Sequence, residues 1–250
     1  MTSRLTGKIA LVTGGSRGIG AAISRNLAAQ GATILLNFNT NTSAAEQLLS
    51  ELPVAHPPHS LIRGDVGSSS TLHLISSIVK ELGGIDFLVL NAGIMPMIHL
   101  GNVTEENYTE MFNTNVKGPL LLVQELAPQI REEGKIILFS TSLTAAWTFT
   151  PGYLLYVATK GAIEQMGRVF SRDPSFTSRK ITTNVISPGP TDTELFTKGK
   201  PQAMIDGIKN ANPLKDLAKP EDVAGLVSYL VTDGGRWVNG QNLRINGGMV

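Results

Sequence analysis

Short apolar runs recur along the chain, spaced widely enough to hold a helix between each pair. They cover residues 9–12, 33–36, 61–62, 87–90, 135–139, 181–186 and 243–245. Several lack alternation of polar and apolar positions, which suits strands covered on both faces, as in a parallel sheet. The intervening segments 18–30, 43–52, 68–82, 104–130, 156–172 and 220–231 carry apolar residues at helical spacing. Thr104, followed by Glu105 and Glu106, sets a capping oxygen and two carboxylates at the positive end of one helix dipole. Pro220 sits in the first turn of another, where its missing N–H costs nothing.

Strands alternating with helices predict an α/β, doubly wound Rossmann fold forming a single domain over residues 1–250. Its seven-stranded parallel sheet takes the order 3-2-1-4-5-6-7, with helices on both faces. No repeat, low-complexity tract or linker divides the chain. Pro57-Pro58 and Pro188-Gly189-Pro190 read as loops inside the domain, and Arg131-Glu132-Glu133 as a solvated helix end.

Composition narrows the function classes. A chain of 250 residues buries roughly 70–75% of its unfolded surface and needs no metal or disulfide to build a core. Lys plus Arg (21) nearly balance Asp plus Glu (20) with no basic block, so neither nucleic acid nor a membrane surface is an expected partner. The chain has no Cys, which excludes a thiolate nucleophile and a Cys-ligated metal. The four His (56, 59, 73, 99) form no ligand pattern, so no metal is expected. The apolar stretch 9–12 is too short for a secretory signal, and no run reaches the 18 or so apolar residues of a membrane span. A soluble, cytoplasmic protein is the expectation.

The 26 glycines exceed the average share, and a cluster of them carries candidate chemistry. Thr13-Gly14-Gly15-Ser16-Arg17-Gly18-Ile19-Gly20 follows the first apolar run and opens a helix. Gly14, Gly18 and Gly20 let the chain turn sharply and approach a diphosphate, whose charge the helix N-terminus stabilises. Ser16, Arg17 and Ile19 lie in the same cradle. The spacing is TGxxxGxG rather than GxGxxG, and helix packing alone can demand such a turn. The second strand ends in Leu36-Asn37-Phe38-Asn39-Thr40 with no acid to bind a ribose 2′-OH. Asn37, Asn39, Thr40 and Arg17 therefore favour a 2′-phosphate, and NADPH over NADH. Asp65-Val66, after the third strand, is a candidate adenine contact.

Tyr156 and Lys160 are four residues apart at the start of a helical pattern, so both project from one face. A phenol titrates near 10; a neighbouring ammonium should lower that and make a proton donor for an alkoxide formed by hydride transfer. Alone, such a pair is usually surface decoration. Ser142 lies just past the fifth strand, where its hydroxyl could meet a substrate oxygen, though Ser140, Thr141 and Thr144 crowd the same loop. Asn91-Ala92-Gly93 ends the fourth strand. Asn115 falls mid-helix, either facing solvent or binding a water that passes protons to Lys160.

In this order and after these elements, the motifs resemble the short-chain dehydrogenase/reductase family over essentially the full length. Pro220-Glu221-Asp222-Val223-Ala224 and Asn239-Gly240-Gln241 through Asn246-Gly247-Gly248 look like that family's closing pattern. The resemblance implies a catalytic tetrad of Asn115, Ser142, Tyr156 and Lys160. It implies that Asn91, Ala92, Gly93, Pro188 and Gly189 shape a nicotinamide pocket, with Thr191 at the carboxamide and Tyr156 and Lys160 at the ribose. It also implies a homotetramer or dimer built partly on helices 104–130 and 156–172. Within the family the chain looks most like fungal hydroxynaphthalene and versicolorin reductases, then 3-oxoacyl carrier-protein reductases. The substrate implied is a small-molecule carbonyl compound. Rival readings keep the fold for isomerase or lyase chemistry, or for a cofactor-binding role without turnover. Leu90 and Pro174 depart from the usual pattern, and Pro174 should close the preceding helix at Asp173. Met95, Met97, Ile98, Leu143, Trp147, Tyr153, Leu195 and Phe196 border the expected crevice, as core or as pocket lining. If they line it, a bulky aromatic ketone fits better than a sugar.

Overall fold

In a computed structural model, which describes residues 4–147 and 150–250, the seven apolar runs form one parallel sheet. The strands are β1 Ile9–Val12, β2 Thr33–Phe38, β3 Ser60–Arg63, β4 Ile85–Leu90, β5 Ile130–Phe139, β6 Thr182–Pro188 and β7 Asn242–Ile245. Their order is β3-β2-β1-β4-β5-β6-β7, as predicted. The chain reverses direction across the sheet between β1 and β4, so a crevice opens beyond their carboxyl ends.

Ten α-helices accompany the strands among the described residues. They are α1 Gly18–Ala29, α2 Thr42–Glu51, α3 Ser69–Glu81, α4 Glu105–Phe112, α5 Gly118–Leu126, α6 Leu154–Phe170, α7 Pro174–Thr177, α8 Glu194–Thr197, α9 Gln202–Ala211 and α10 Pro220–Val231. Every residue of β1, β2 and β4 is buried, and strand alternation divides them between two cores. Ala10, Val12, Ile34 and Leu36 pack under Ile23 and Leu27 of α1 and Val227 of α10. Ile9, Leu11, Leu35 and Leu88 face Ile75 of α3, Leu122 of α5 and Ile163 of α6. Each fully buried Leu or Ile contributes roughly 1.5–3 kcal/mol, and covering both faces is what these unalternated runs require. No helix of the described residues is long and apolar enough to cross a membrane.

The predicted helix 104–130 is broken, for a covalent reason. Pro119 has no N–H to donate to the carbonyl of Asn115 and its ring crowds that oxygen, so the regular ladder cannot continue. Residues Asn113–Lys117 form a π-helical turn instead, and Gly118 N–H reaches back five residues to the Asn113 carbonyl. The helix stops at Leu126, a 3₁₀ turn covers Ala127–Gln129, and Ile130 already belongs to β5. Arg131-Glu132-Glu133 is therefore the irregular start of a strand and not a helix end. Arg131 binds Asp86 Oδ2 at 2.9 Å, and Glu133 takes a left-handed φ of 61° where the register shifts. Asp173 likewise does not end α6, which stops at Phe170; it caps α7 by accepting from Ser175 N. Helices α8 and α9 occupy a stretch for which no element was expected.

Candidate active site

The glycine turn is stitched to the end of β4. Asn91 Nδ2 donates to the carbonyls of Thr13 and Gly14 at 3.0 and 3.1 Å, and Ala92 N donates to Thr13 Oγ1 at 3.1 Å. Gly14 has φ +60°, and a Cβ there would lie 2.9 Å from Ala92 Cα. A Cβ on Gly20 would lie 2.3 Å from the Gly14 carbonyl oxygen. Both positions need glycine for close approach. Helix α1 starts at Gly18 with no side chain capping it and no acid in its first turn. Its positive end is left for an anion from outside.

That end opens into a cleft of about 460 Å³. Gly14, Ser16, Arg17, Gly18, Ile19, Asn39, Thr40, Asp65, Val66, Asn91, Ala92 and Gly93 line it, whereas Gly20, Tyr156, Lys160, Pro188, Gly189 and Thr191, which the sequence reading also assigned to the cofactor, are not among its lining residues. Asn37 also borders it, but its side chain does not serve as expected. Strand β2 runs on to Phe38, so Asn37 is inside the sheet, 1% exposed. Its amide donates to the carbonyls of Ile62 and Gly64 on the β3 side at 3.1 and 3.0 Å. Asn39 and Thr40 are the exposed residues at the strand end. No carboxylate stands with them, so the donors present there suit a 2′-phosphate. Sequence reasoning placed Leu195 at this cleft but missed Thr193, Glu194 and Lys198 in its wall. Thr193 caps α8 by accepting from Phe196 N, and Glu194, Leu195 and Lys198 line the cleft with it. Arg17 Nη1 meets Glu194 Oε2 at 2.5 Å across it. The signal was present: Thr193-Glu194 repeats the cap pattern of Thr104-Glu105.

The proposed catalytic groups lie deeper, at the carboxyl ends of β4, β5 and β6. Tyr156 and Lys160 occupy successive turns of α6, both nearly fully buried. Tyr156 packs among Met111, Tyr153 and Leu155, its ring centre 6.2 Å from that of Tyr153. Lys160 Nζ donates to the Phe139 carbonyl at 2.8 Å and lies over the Tyr156 ring, 5.7 Å from its centre. The expected lowering of the phenol by this ammonium is not found. Burial pushes Tyr156 up to about 12; a hydrogen bond with Thr141 works against that weakly, and Tyr153 adds to the rise. Burial also brings Lys160 down to about 8. The physical reason is geometric: the ammonium is tied to a main-chain carbonyl and faces the ring, while both charged forms have lost their water.

Ser142 opens the 3₁₀ turn Ser142–Ala145 and donates to the Ser187 carbonyl on β6 at 3.0 Å. Pro188 and Gly189 follow directly; Gly189 N donates to the Ile245 carbonyl at 2.8 Å, and Thr191 Oγ1 to the Gly189 carbonyl at 3.0 Å. Asn115 does not face solvent. It is 1% exposed in the π turn, accepting from Ile94 N at 2.9 Å and donating to the Ile94 carbonyl and to Thr159 Oγ1 at 2.9 and 3.1 Å. Both amide protons are used, so any water it holds must bind elsewhere on it. A Cβ at Gly93 would lie 3.3 Å from Asn115 Oδ1 and 3.4 Å from Lys160 Nζ, so these groups converge. The crevice residues separate. Met95, Ile98, Leu143 and Tyr153 pack around Tyr156, Leu195 lines the cleft, and Phe196 lies beneath Lys200 Nζ, 4.6 Å away. Met97 is partly exposed, and Trp147 is 99% exposed, so Trp147 is neither core nor lining here. Among the described residues no cluster of His, Asp or Glu is placed to hold a metal. His59 is structural: its Nδ1 accepts from Ile34 N at 2.9 Å.

A family model described as enoyl-(acyl carrier protein) reductase matches residues 14–250. The short chain dehydrogenase/reductase AacuN of Aspergillus aculeatus is 36% identical over 98% of this chain and 96% of its own length. Among solved structures, a short chain dehydrogenase from Burkholderia cenocepacia in complex with NADP is 32% identical, with a TM-score of 0.90 over 98% of this chain and 99% of its own. The angucycline C-6 ketoreductase LanV with bound NADP, 29% identical, has a TM-score of 0.90 over 100% and 98%.

Proposed function

The chain belongs to the short-chain dehydrogenase/reductase family of oxidoreductases, and from that membership we propose that it reduces a bulky, aromatic or polyketide-like ketone with NADPH. One observation carries the reading: Gly93, which lines the cleft beside the uncapped start of α1, stands directly against Asn115 and Lys160, with Tyr156 buried next to that lysine and no acid at the end of β2. The NADP-bound relatives and the ketoreductase LanV support it.

The residues present fit the dinucleotide. Helix α1 offers its uncapped N-terminus, Gly14 and Gly20 leave room for close approach, and Arg17, Asn39 and Thr40 surround the ribose end. Bound there, the cofactor supplies a hydride to the carbonyl carbon. Tyr156, neutral at physiological pH, donates its phenolic proton to the carbonyl oxygen. Ser142 exchanges its bond to the Ser187 carbonyl for one to the same oxygen. Lys160 restores the Tyr156 proton, and Asn115 holds Ile94 and Thr159 in place beside it. The cluster of Ile94, Met95, Ile98, Leu143 and Tyr153 excludes water and favours an apolar substrate.

A 3-oxoacyl thioester is the second reading; the matched family's description shares its acyl-carrier-protein class of substrate, though that description names an enoyl group and not a ketone. A panel of naphthol-type and quinonoid ketones and acyl thioesters, followed by loss of NADPH absorbance, separates the two. Turnover of the aromatic ketones is expected; turnover of thioesters alone would replace the first reading with the second, and no turnover would refute both. The cytoplasm suits a cysteine-free chain. Exposed Tyr108, Leu120, Leu154 and Val169 on α4, α5 and α6 suit a homotetramer or dimer. Light scattering tests that assembly, and a monomer would contradict it.

A further inference from the structure

Glu164 lies one turn beyond Lys160 on α6, half-buried, in a position the reaction itself does not use. Its Oε1 accepts from Ser140 Oγ at 2.8 Å and from Thr144 Oγ1. Those two hydroxyls flank Ser142 in sequence, one at the end of β5 and one inside the 3₁₀ turn. Each has a second acceptor within reach: the Lys160 carbonyl for Ser140 at 3.1 Å and the Thr141 carbonyl for Thr144 at 2.8 Å. A hydroxyl has one proton to give, and a carboxylate is the stronger acceptor. The turn bearing Ser142 is thus fastened to α6 through Glu164 and to β6 through Ser187.

We infer that Glu164 is a positioning residue that sets the distance between Ser142 and the Tyr156–Lys160 helix. The inference rests on the reading of Ser142 given above. When the carboxylate is removed, both hydroxyls fall back on main-chain carbonyls. The fold therefore survives and Ser140 stays joined to α6 through the Lys160 carbonyl, while Thr144 turns to the Thr141 carbonyl and the turn itself loses its tie to the helix. Small misplacements of this kind cost turnover more than binding.

The test is steady-state kinetics on Glu164→Leu, Glu164→Gln, Ser142→Ala and the Glu164→Leu/Ser142→Ala pair, with NADPH and a turned-over ketone. Glu164→Leu should lose kcat about tenfold or more while KM for NADPH stays within about twofold. Glu164→Gln, which keeps an acceptor oxygen, should recover most of the loss. In the Ser142→Ala background Glu164→Leu should cost less than about twofold, because its effect runs through Ser142. Should Glu164→Leu fail to fold, Glu164→Asp, shorter by one methylene, takes its place. A full loss persisting in the Ser142→Ala background overturns the inference, as does Glu164→Leu at wild-type turnover. If Ser142→Ala is impaired and Glu164→Leu is not, the inference alone is wrong. If Ser142→Ala is itself unimpaired, the role of Ser142 falls and this inference with it.

Discussion

At the scale of single residues, burial decides the protonation of the two groups that matter most. Lys160 holds its proton to about 8 in the folded chain against 10.5 when free, and Tyr156 to about 12 against 10.0. Between about 8 and 10 the unfolded chain binds the extra proton, so stability rises with pH there; from about 10 to 10.5 the buried phenol offsets the rise, and above 10.5 stability falls. The Lys160 part amounts to about 3 kcal/mol. Chemical denaturation of the wild type and Lys160→Met across this range should show the difference between them growing by that order from pH 8 to 10.5; a constant difference would contradict the buried ammonium. A second pair of substitutions separates neighbours in sequence. Asn39→Asp, on the exposed strand end, should weaken NADPH relative to NADH about tenfold or more by repelling the 2′-phosphate. Asn37→Asp should instead lower stability by about 3 kcal/mol, since a buried carboxylate would face two carbonyl oxygens. Unfolding midpoints and the ratio of dissociation constants check both, and a cofactor switch from Asn37→Asp would overturn the assignment. The sequence marked both asparagines as equals because spacing tells which residues are near a strand end and not which way an amide turns. The same limit hid the tie of Lys160 to Phe139.

Elements were legible where a single covalent or packing demand dominates. Unalternated runs such as β1 and β4 need cover on both faces, which marks them as strands of a parallel sheet, and the doubly wound dinucleotide-binding topology supplies their order. The π turn was hidden because apolar spacing persists through it, although Pro119 was the clue. Helix α9 was missed because it buries none of its residues, so no core stripe marks it. If Pro119 holds the π turn open, Pro119→Ala restores an N–H and lets α4 and α5 join as one regular helix. Asn115 would then rotate from Ile94. Turnover should fall about tenfold while thermal stability holds or rises. Unchanged turnover in Pro119→Ala would mean that the π turn does not serve the site.

Across the whole molecule, the crossover between β1 and β4 puts the uncapped start of α1 and the buried Tyr156, the proposed proton donor, at the same edge of one sheet. Either half alone is common: glycine turns serve packing, and Tyr–Lys pairs decorate surfaces. Their meeting at β4–β6 is what makes reduction of a carbonyl the economical account. The family motifs in sequence order named these residues in advance, whereas the part of the cleft wall formed by α8 and the Glu164 contacts depend on residues far apart in the chain. Tyr156→Phe removes one hydroxyl and leaves the ring packed, so kinetics of that variant with NADPH and a turned-over ketone test the claim most directly. NADPH binding by fluorescence should be retained while kcat falls by about 10² or more; turnover within a few-fold of wild type would contradict Tyr156 as the proton donor.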